Sequence, residues 1–288
     1  MEQTMSDFTV ELLLETGTAR VWDTWCRGDC AHDASGMEWL GATHLLFPYR
    51  GLFVRHHGDD ICVAEAGQVV LGNAGEDYRV THPVPGGESS LVVLVEPAML
   101  RELAPKTLLA DGEPLMFTQQ RVRIDARAQA LVAMLRHSLR EKIAELLEAE
   151  SLALTLVQRA LGPRTSHVAA ASGGRRRLAD RTKLVLAGDL SRRWTLAEIA
   201  AEVGVSPVYL TQVFQQVEGL PLYRYQLRLR LARALDLLGE YDDLGQLGLE
   251  LGFSSHSHFS AAFQQTYGHS PSGFREAVIH RRTRRGKT

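Results

Sequence analysis

Leu196-Ala-Glu-Ile-Ala-Ala-Glu-Val-Gly204 and Leu244-Gly-Gln-Leu-Gly-Leu-Glu-Leu-Gly252 are two copies of one pattern, set about 48 residues apart. A repeat of this kind sets the unit of structure, so it comes before any choice of fold. Each copy reads as a short helix with a small residue, Ala200 or Gly248, where a second helix must come close. Gly204 and Gly252 then end these helices, because glycine takes positive φ without a Cβ penalty. A fresh helix start follows each glycine. Ser206 is an N-cap with Pro207 at the first helical position, and Ser254 or Ser255 caps a helix from His256. Both copies therefore predict helix, tight turn, helix.

In the second helix of each copy, Leu210, Val213 and Phe214, and then Phe259, Ala262 and Phe263, form an inward apolar stripe. The outward face carries Val208, Tyr209, Thr211, Gln212, Gln215 and Gln216 in the first copy. In the second it carries His256, Ser257, Ser260, Ala261, Gln264 and Gln265. Faces of this kind suit a DNA major groove. Two ordinary helical hairpins would show the same stripe. What favours DNA is the repeat together with an Arg-rich linking helix, Tyr223–Leu238, able to hold two such helices roughly 34 Å apart, one turn of duplex.

The stretch Gly252-Phe253-Ser254-Ser255-His256-Ser257-His258-Phe259-Ser260-Ala261-Ala262-Phe263 is followed by Tyr267-Gly268-His269-Ser270-Pro271-Ser272-Gly273-Phe274-Arg275. This ending resembles the signature of the AraC/XylS-type regulators, whose DNA-binding module is two helix-turn-helix units joined by one long helix. The resemblance covers about Leu178–Arg275. It implies base-reading roles for Val208, Thr211 and Gln212 in the first unit and for His256, Ser257, Ser260 and Ala261 in the second. Tyr209 and Gln215 share the first face, and Arg228 and Arg230 on the linking helix are expected to meet phosphates. The chain departs from the family at Ala261, where members often carry Arg. It departs again at Gln215, Gln216, Gln264 and Gln265, where basic residues are common. The second unit is therefore expected to lose a guanine contact and some phosphate attraction, since Arg supplies both.

Outward from the repeat, the charge of the chain divides. Residues 1–162 carry 14 Lys/Arg against 23 Asp/Glu, while residues 163–288 carry 18 against 11, so an overall charge of −2 hides a basic C-terminal half. A basic half points to a polyanion partner. Residues 163–177 (PRTSHVAAASGGRRR) read as a linker, residues 178–281 as the double helix-turn-helix domain, and residues 282–288 as a basic tail.

Between Ala19 and Val95 lie short β-rich runs, Thr43–Phe47, Leu52–Arg55, Ile61–Glu65, Gln68–Leu71 and Ser90–Val95, separated by Gly, Pro, Asn and Asp turns. They predict a small barrel or sandwich, and the segment resembles the cupin-like sensor domain of such regulators. Ala126–Leu139 and Glu141–Leu161 predict a helical hairpin, with Leu131, Met134, Leu135, Leu139, Leu147, Leu152, Leu156 and Val157 as its apolar stripe. That stripe could bury against the barrel or against a second subunit. The fold class expected is α+β multidomain: a cupin-like β-barrel with a helical hairpin over residues 1–162, then an all-α double helix-turn-helix.

The pattern of a metal-dependent cupin enzyme, a His-x-His pair with a carboxylate and a further His, is absent before residue 162, and no enzyme activity or cofactor is expected. The His-x-His of the chain, His256-Ser257-His258, lies within the second recognition segment. Cys26 and Cys30, near His32 and Asp33, could form a metal or redox pair, but a C-x3-C without a second pair reads more simply as structural. Arg55, Tyr49, Tyr78 and His82 could stand near a barrel mouth and suit a small organic effector. Three cysteines fit a reducing compartment, and Met1–Val10 is acidic and polar where a signal peptide would be basic then apolar. A cytoplasmic address is expected.

The residues and the resemblance together predict a sequence-specific DNA-binding transcription regulator, an activator that responds to a signal. Its expected partners are promoter DNA, a second copy of itself, a small-molecule effector and RNA polymerase, and no membrane. The alternatives are a ligand-independent DNA-binding protein whose barrel serves only dimerisation or partner binding, and a metal or redox sensor working through Cys26 and Cys30.

Overall fold

The computed structural model describes residues 3–5, 8–27, 41–58, 60–162 and 172–278. The chain divides into two compact units, Met1–Ser166 with Val278–Thr288, and His167–Ala277.

The first unit is built on antiparallel strands. A seven-stranded sheet runs, in spatial order, β1 (Gln3–Met5), β2 (Phe8–Glu15), β3 (Ala19–Cys26), β9 (Glu88–Val95), β4 (His44–Gly51), β7 (Gln68–Gly72) and β10 (Arg121–Arg123). A three-stranded sheet runs β6 (Asp60–Ala64), β5 (Phe53–His57), β8 (Arg79–Thr81). Gly51, at φ 67°, turns the chain from the larger sheet into the smaller, and a Cβ there would lie 2.1 Å from the Gly87 carbonyl oxygen, so only glycine fits. Leu46, Val70 and Val92 pack against Phe53, Cys62 and Ala64 of the smaller sheet. On the other face, Val21, Leu45, Phe47, Leu91 and Val93 share a core with the helices.

A mixed sheet-and-helix unit followed by helices is thus observed, but the expected closed barrel is not. Among the described residues the strand pairing leaves two sheets with open ends at β1 and β10 and at β6 and β8.

α1 (Pro97–Leu103) follows β9 directly. The helical hairpin is present as α2 (Ala126–Arg140), capped by Asp125, and α3 (Leu146–Leu161). Its second helix starts five residues later than expected, because Lys142 takes φ 52° and ends the regular turn. The hairpin buries Val132, Leu135, Leu156 and Val157 in the sheet core, whereas Leu147, expected inward, is 73% exposed. Ala149, Ala153 and Ala160 take the inward positions instead, small enough to let α3 lie close.

The second unit is all helical: α4 (Gly173–Gly188), α5 (Leu196–Val203), α6 (Pro207–Glu218), α7 (Leu222–Leu237), α8 (Leu244–Glu250), α9 (His256–Tyr267) and α10 (Pro271–Val278). Residues 173–177, expected in the linker, form the first turn of α4, since arginines favour a helix and Leu178, Ala179 and Leu186 give it a buried face. Residues 163–171 and the tail 282–288 lie outside the described residues, and the last helix is described to Val278. Ile199, Val203, Leu210, Phe214 and Tyr225 form one core with α4. Phe253, Phe259, Phe263, Tyr267 and Phe274 form an aromatic cluster in the other, Phe263 touching Phe259, Tyr267 and Phe274, with contacting ring centroids 4.7 to 5.9 Å apart. Such edge and tilted contacts add to plain burial.

Candidate nucleic-acid interface

The two repeats are closed by the same hydrogen bonds. In the first, Val205 N–H donates to Ala200 O at 3.0 Å and Gly204 N–H to Ala201 O at 3.2 Å. In the second, Phe253 N–H donates to Gly248 O at 3.0 Å and Gly252 N–H to Leu249 O at 2.9 Å. This pair of bonds is the helix stop that a left-handed residue permits, and Gly204 and Gly252 supply it at φ 72° and 82°. The helices that follow are capped alike: Ser206 accepts from Tyr209 N–H, and Ser255, one of the two candidates, accepts from His258 N–H. Because the second turn holds one extra residue, α6 and α9 align at an offset of 49 where the turns align at 48. Gly219 and Gly268 end them with matching bonds, 2.8 Å each, to Gln215 O and Gln264 O.

Gly248 sits where α8 crosses α9, and a Cβ on it would lie 3.0 Å from Phe259 Cβ, which confirms the need for a small residue there. α5 also begins on a capping box between Thr195 and Glu198. The Thr195 hydroxyl and N–H, aided by Arg192, hold the Glu198 carboxyl down at about 2.

The inward stripe is as expected: Leu210, Val213, Phe214, Phe259, Ala262 and Phe263 are all buried. On α6, Val208, Tyr209, Gln212, Gln215 and Gln216 are exposed, and Thr211 is half-buried with its hydroxyl donating to Val208 O at 2.8 Å. On α9, His256, Ser257, Ala261, Gln264 and Gln265 are exposed. Half-buried Ser260 bonds His256 Nε2 at 3.3 Å, and His258 bonds Ser254 at 3.0 Å. The two imidazoles of the His-x-His are thus held by different serines, and no group of metal-ligating side chains is found among the described residues.

Comparison with known proteins agrees with this geometry. A family described as helix-turn-helix domain matches residues 199–277. The HTH-type transcriptional regulator YidL of Escherichia coli K12, itself uncharacterized, is 33% identical over 34% of this chain and 33% of its own length. Over this unit, the chain is similar to helix-turn-helix transcriptional regulators. The chain spans about a third or less of the first curated relatives it matches. LumQ of Photobacterium leiognathi, a probable transcriptional regulator, is 28% identical over 69% of this chain and 79% of its own length. Among solved structures, fatty acid-bound ToxT of Vibrio cholerae aligns over 97% of this chain and 99% of its own, at 13% identity and a TM-score of 0.36.

Within the helical unit, Arg228 and Arg230 prove to be different in kind. Arg228 is exposed. Arg230, half-buried, donates from Nε to Leu190 O at 2.7 Å, from Nη1 to Gly252 O at 3.1 Å and from Nη2 to Arg192 O at 2.8 Å. Burial and the nearby Arg193 lower its pKa. Its guanidinium bonds backbone carbonyls on both sides, so within this unit it links the Leu190–Arg192 segment to the Gly252 turn, in addition to the phosphate role expected of it.

Sequence reading also missed Lys183, fully buried on α4, whose Nζ lies 2.8 Å from Glu218 at the end of α6 and 3.4 Å from Asp180. Its position in a run of helix-forming residues gives no sign of such burial.

In the first unit, Arg55 and Tyr78 of the four expected effector-facing side chains are in contact, while Tyr49 is engaged elsewhere. Arg55 is buried and donates to Leu71 O, Gln120 and Glu76, with the Tyr78 ring 4.5 Å from its guanidinium. Tyr49 turns to the helices instead, donating to the buried Asp23 at 2.6 Å beneath Arg136. His82 is half-buried after β8. Cys26 is buried at the end of β3, and Cys30 lies outside the described residues.

Proposed function

We propose that this chain is a transcription regulator that binds promoter DNA through α6 and α9. The observation that carries it is the duplication: two helix-turn-helix units closed by the same turn bonds, each offering an outward polar face on its second helix. Gln212 is suited to a bidentate pair with adenine, and Val208, 67% exposed, to a thymine methyl group. Ala261 can offer only an apolar contact, which makes the first unit the more discriminating.

The first unit is read as a signal-sensing and dimerisation module that biases how the two units engage DNA, acting as an activator alongside RNA polymerase in the cytoplasm. Exposed Leu146 and Leu147 on α3 support a dimer contact there. No described helix is long and apolar enough to cross a membrane. A ligand-independent version of the same reading has its own support, since Arg55 and Tyr49 spend their polar groups on internal partners. A thermal-shift screen against small organic acids, amines and sugars separates the two, because a ligand that binds only the folded state raises the melting midpoint.

Selection of duplexes from a random pool by the full chain tests the main reading. Recovery of two short conserved blocks about one helical turn apart is expected. A pool that stays random overturns it.

A further inference from the structure

We infer that Arg175 is a DNA-phosphate contact of the first helix-turn-helix unit, supplying from α4 the positive charge that α6 lacks. The inference rests on the reading that the chain binds duplex DNA.

Neither α6 (PVYLTQVFQQVE) nor α9 (HSHFSAAFQQTY) contains a lysine or arginine. A helix seated in a major groove is flanked by two phosphate strands, and binding without nearby cations forfeits most of the salt-dependent affinity that counterion release provides. α4 begins Gly173-Gly174-Arg175-Arg176-Arg177, and all three arginines are exposed. Arg175 Nη1 donates to Gln216 Oε1 at 2.7 Å, which brings the guanidinium to α6 beside an exposed residue one helical turn from Gln212.

Three features make that arginine suited to a phosphate. Its partner is a neutral amide, so the contact leaves its charge uncancelled. A guanidinium has five N–H donors, enough to hold Gln216 and a phosphate oxygen together. The Lys183–Glu218 pair, 2.8 Å long and buried, ties α4 to the end of α6, so Arg175 is presented by a fixed helix rather than by a loose chain.

Helical spacing separates the three arginines. At about 100° per residue, Arg177 is carried roughly 200° round the helix from Arg175. Arg177 therefore has the same charge without the same placement, and serves as an internal control.

The test is fluorescence anisotropy of the full chain on a 30-bp random-sequence duplex over a series of potassium chloride concentrations. Wild type, Arg175→Gln, Arg175→Lys and Arg177→Gln are compared, with melting midpoints confirming that each is folded. Arg175→Gln is expected to lower the slope of log K against log salt by about 0.9, the value for one phosphate, while Arg175→Lys keeps the slope and Arg177→Gln changes it much less. Equal slopes for Arg175→Gln and wild type, or equal losses in Arg175→Gln and Arg177→Gln, overturn this inference and leave the DNA-binding reading standing. A wild-type chain with no salt-dependent binding overturns both.

Discussion

Arg230 Nη1 donates to the carbonyl oxygen of Gly252 at 3.1 Å, and the same guanidinium holds Leu190 O at 2.7 Å. One side chain of α7 thereby joins the turn of the second helix-turn-helix unit to the segment leading into the first. Gly252 is bound to this arrangement from its own side, since a Cβ on it would lie 2.3 Å from Ser191 O and 2.8 Å from Arg230 Nη2.

Arg230→Gln should therefore act chiefly on the geometry of the unit. Loss of these part-buried and exposed charge-assisted bonds to backbone carbonyls costs about 1.5 to 3 kcal/mol. The expected result is a lower melting midpoint with the salt slope of DNA binding little changed. A reduced slope at unchanged stability would place Arg230 on the phosphates alone.

Gln212→Ala is expected to relax base preference at one position, lowering discrimination there by about 1 to 3 kcal/mol, while Arg228→Gln weakens all sequences alike and reduces the salt slope by about 1. Titrations on matched and single-mismatch duplexes check both. Unchanged preference in Gln212→Ala removes that residue from the readout.

Lys183→Met should strip two buried carboxylates, Glu218 and Asp180, of their counter-charge. Breaking a buried pair from one side typically costs about 3 to 5 kcal/mol, whereas replacing both partners by apolar groups is far milder. Lys183→Met/Glu218→Leu should thus melt above Lys183→Met, as calorimetry can show. A double variant no more stable than the single one contradicts the pairing.

Burial pushes the Glu88 carboxyl in β9 up to about 7, against the pull of the Ser90 hydroxyl and with buried Asp23 adding to the rise. The folded state then keeps a proton that the unfolded chain releases near its ordinary 4.5. Stability from this group is complete below that value and falls as pH rises towards 7, by about 3 kcal/mol in all. Denaturant midpoints at pH 4, 6 and 8 should show Glu88→Gln gaining on wild type as pH rises. Parallel profiles rule the shift out.

What the sequence made legible was local. Gly204 and Gly252, the serine caps and the inward stripes follow from backbone and periodicity rules that act within a dozen residues, and each stands where expected. Tertiary partners were not legible. Arg230 looked like any arginine of a basic helix, because nothing in its neighbours announces the Leu190 and Gly252 carbonyls, 40 and 22 residues away. The same holds for Lys183, which finds Glu218 at the end of α6. In the first unit β2 and β3 lie outside the five expected strand runs, and α3 begins later than the expected Glu141, because Glu-Lys-Ile-Ala-Glu has helix-forming composition and only the positive φ of Lys142 ends the turn.

In the proposed function, α6 and α9 read one face of a duplex as a pair. The most direct measurement is the affinity of the full chain for a selected site with five base pairs inserted between its two conserved blocks. Such an insertion rotates one block by about half a helical turn, so affinity should fall towards that for random DNA. Equal affinity for the two spacings would contradict paired reading.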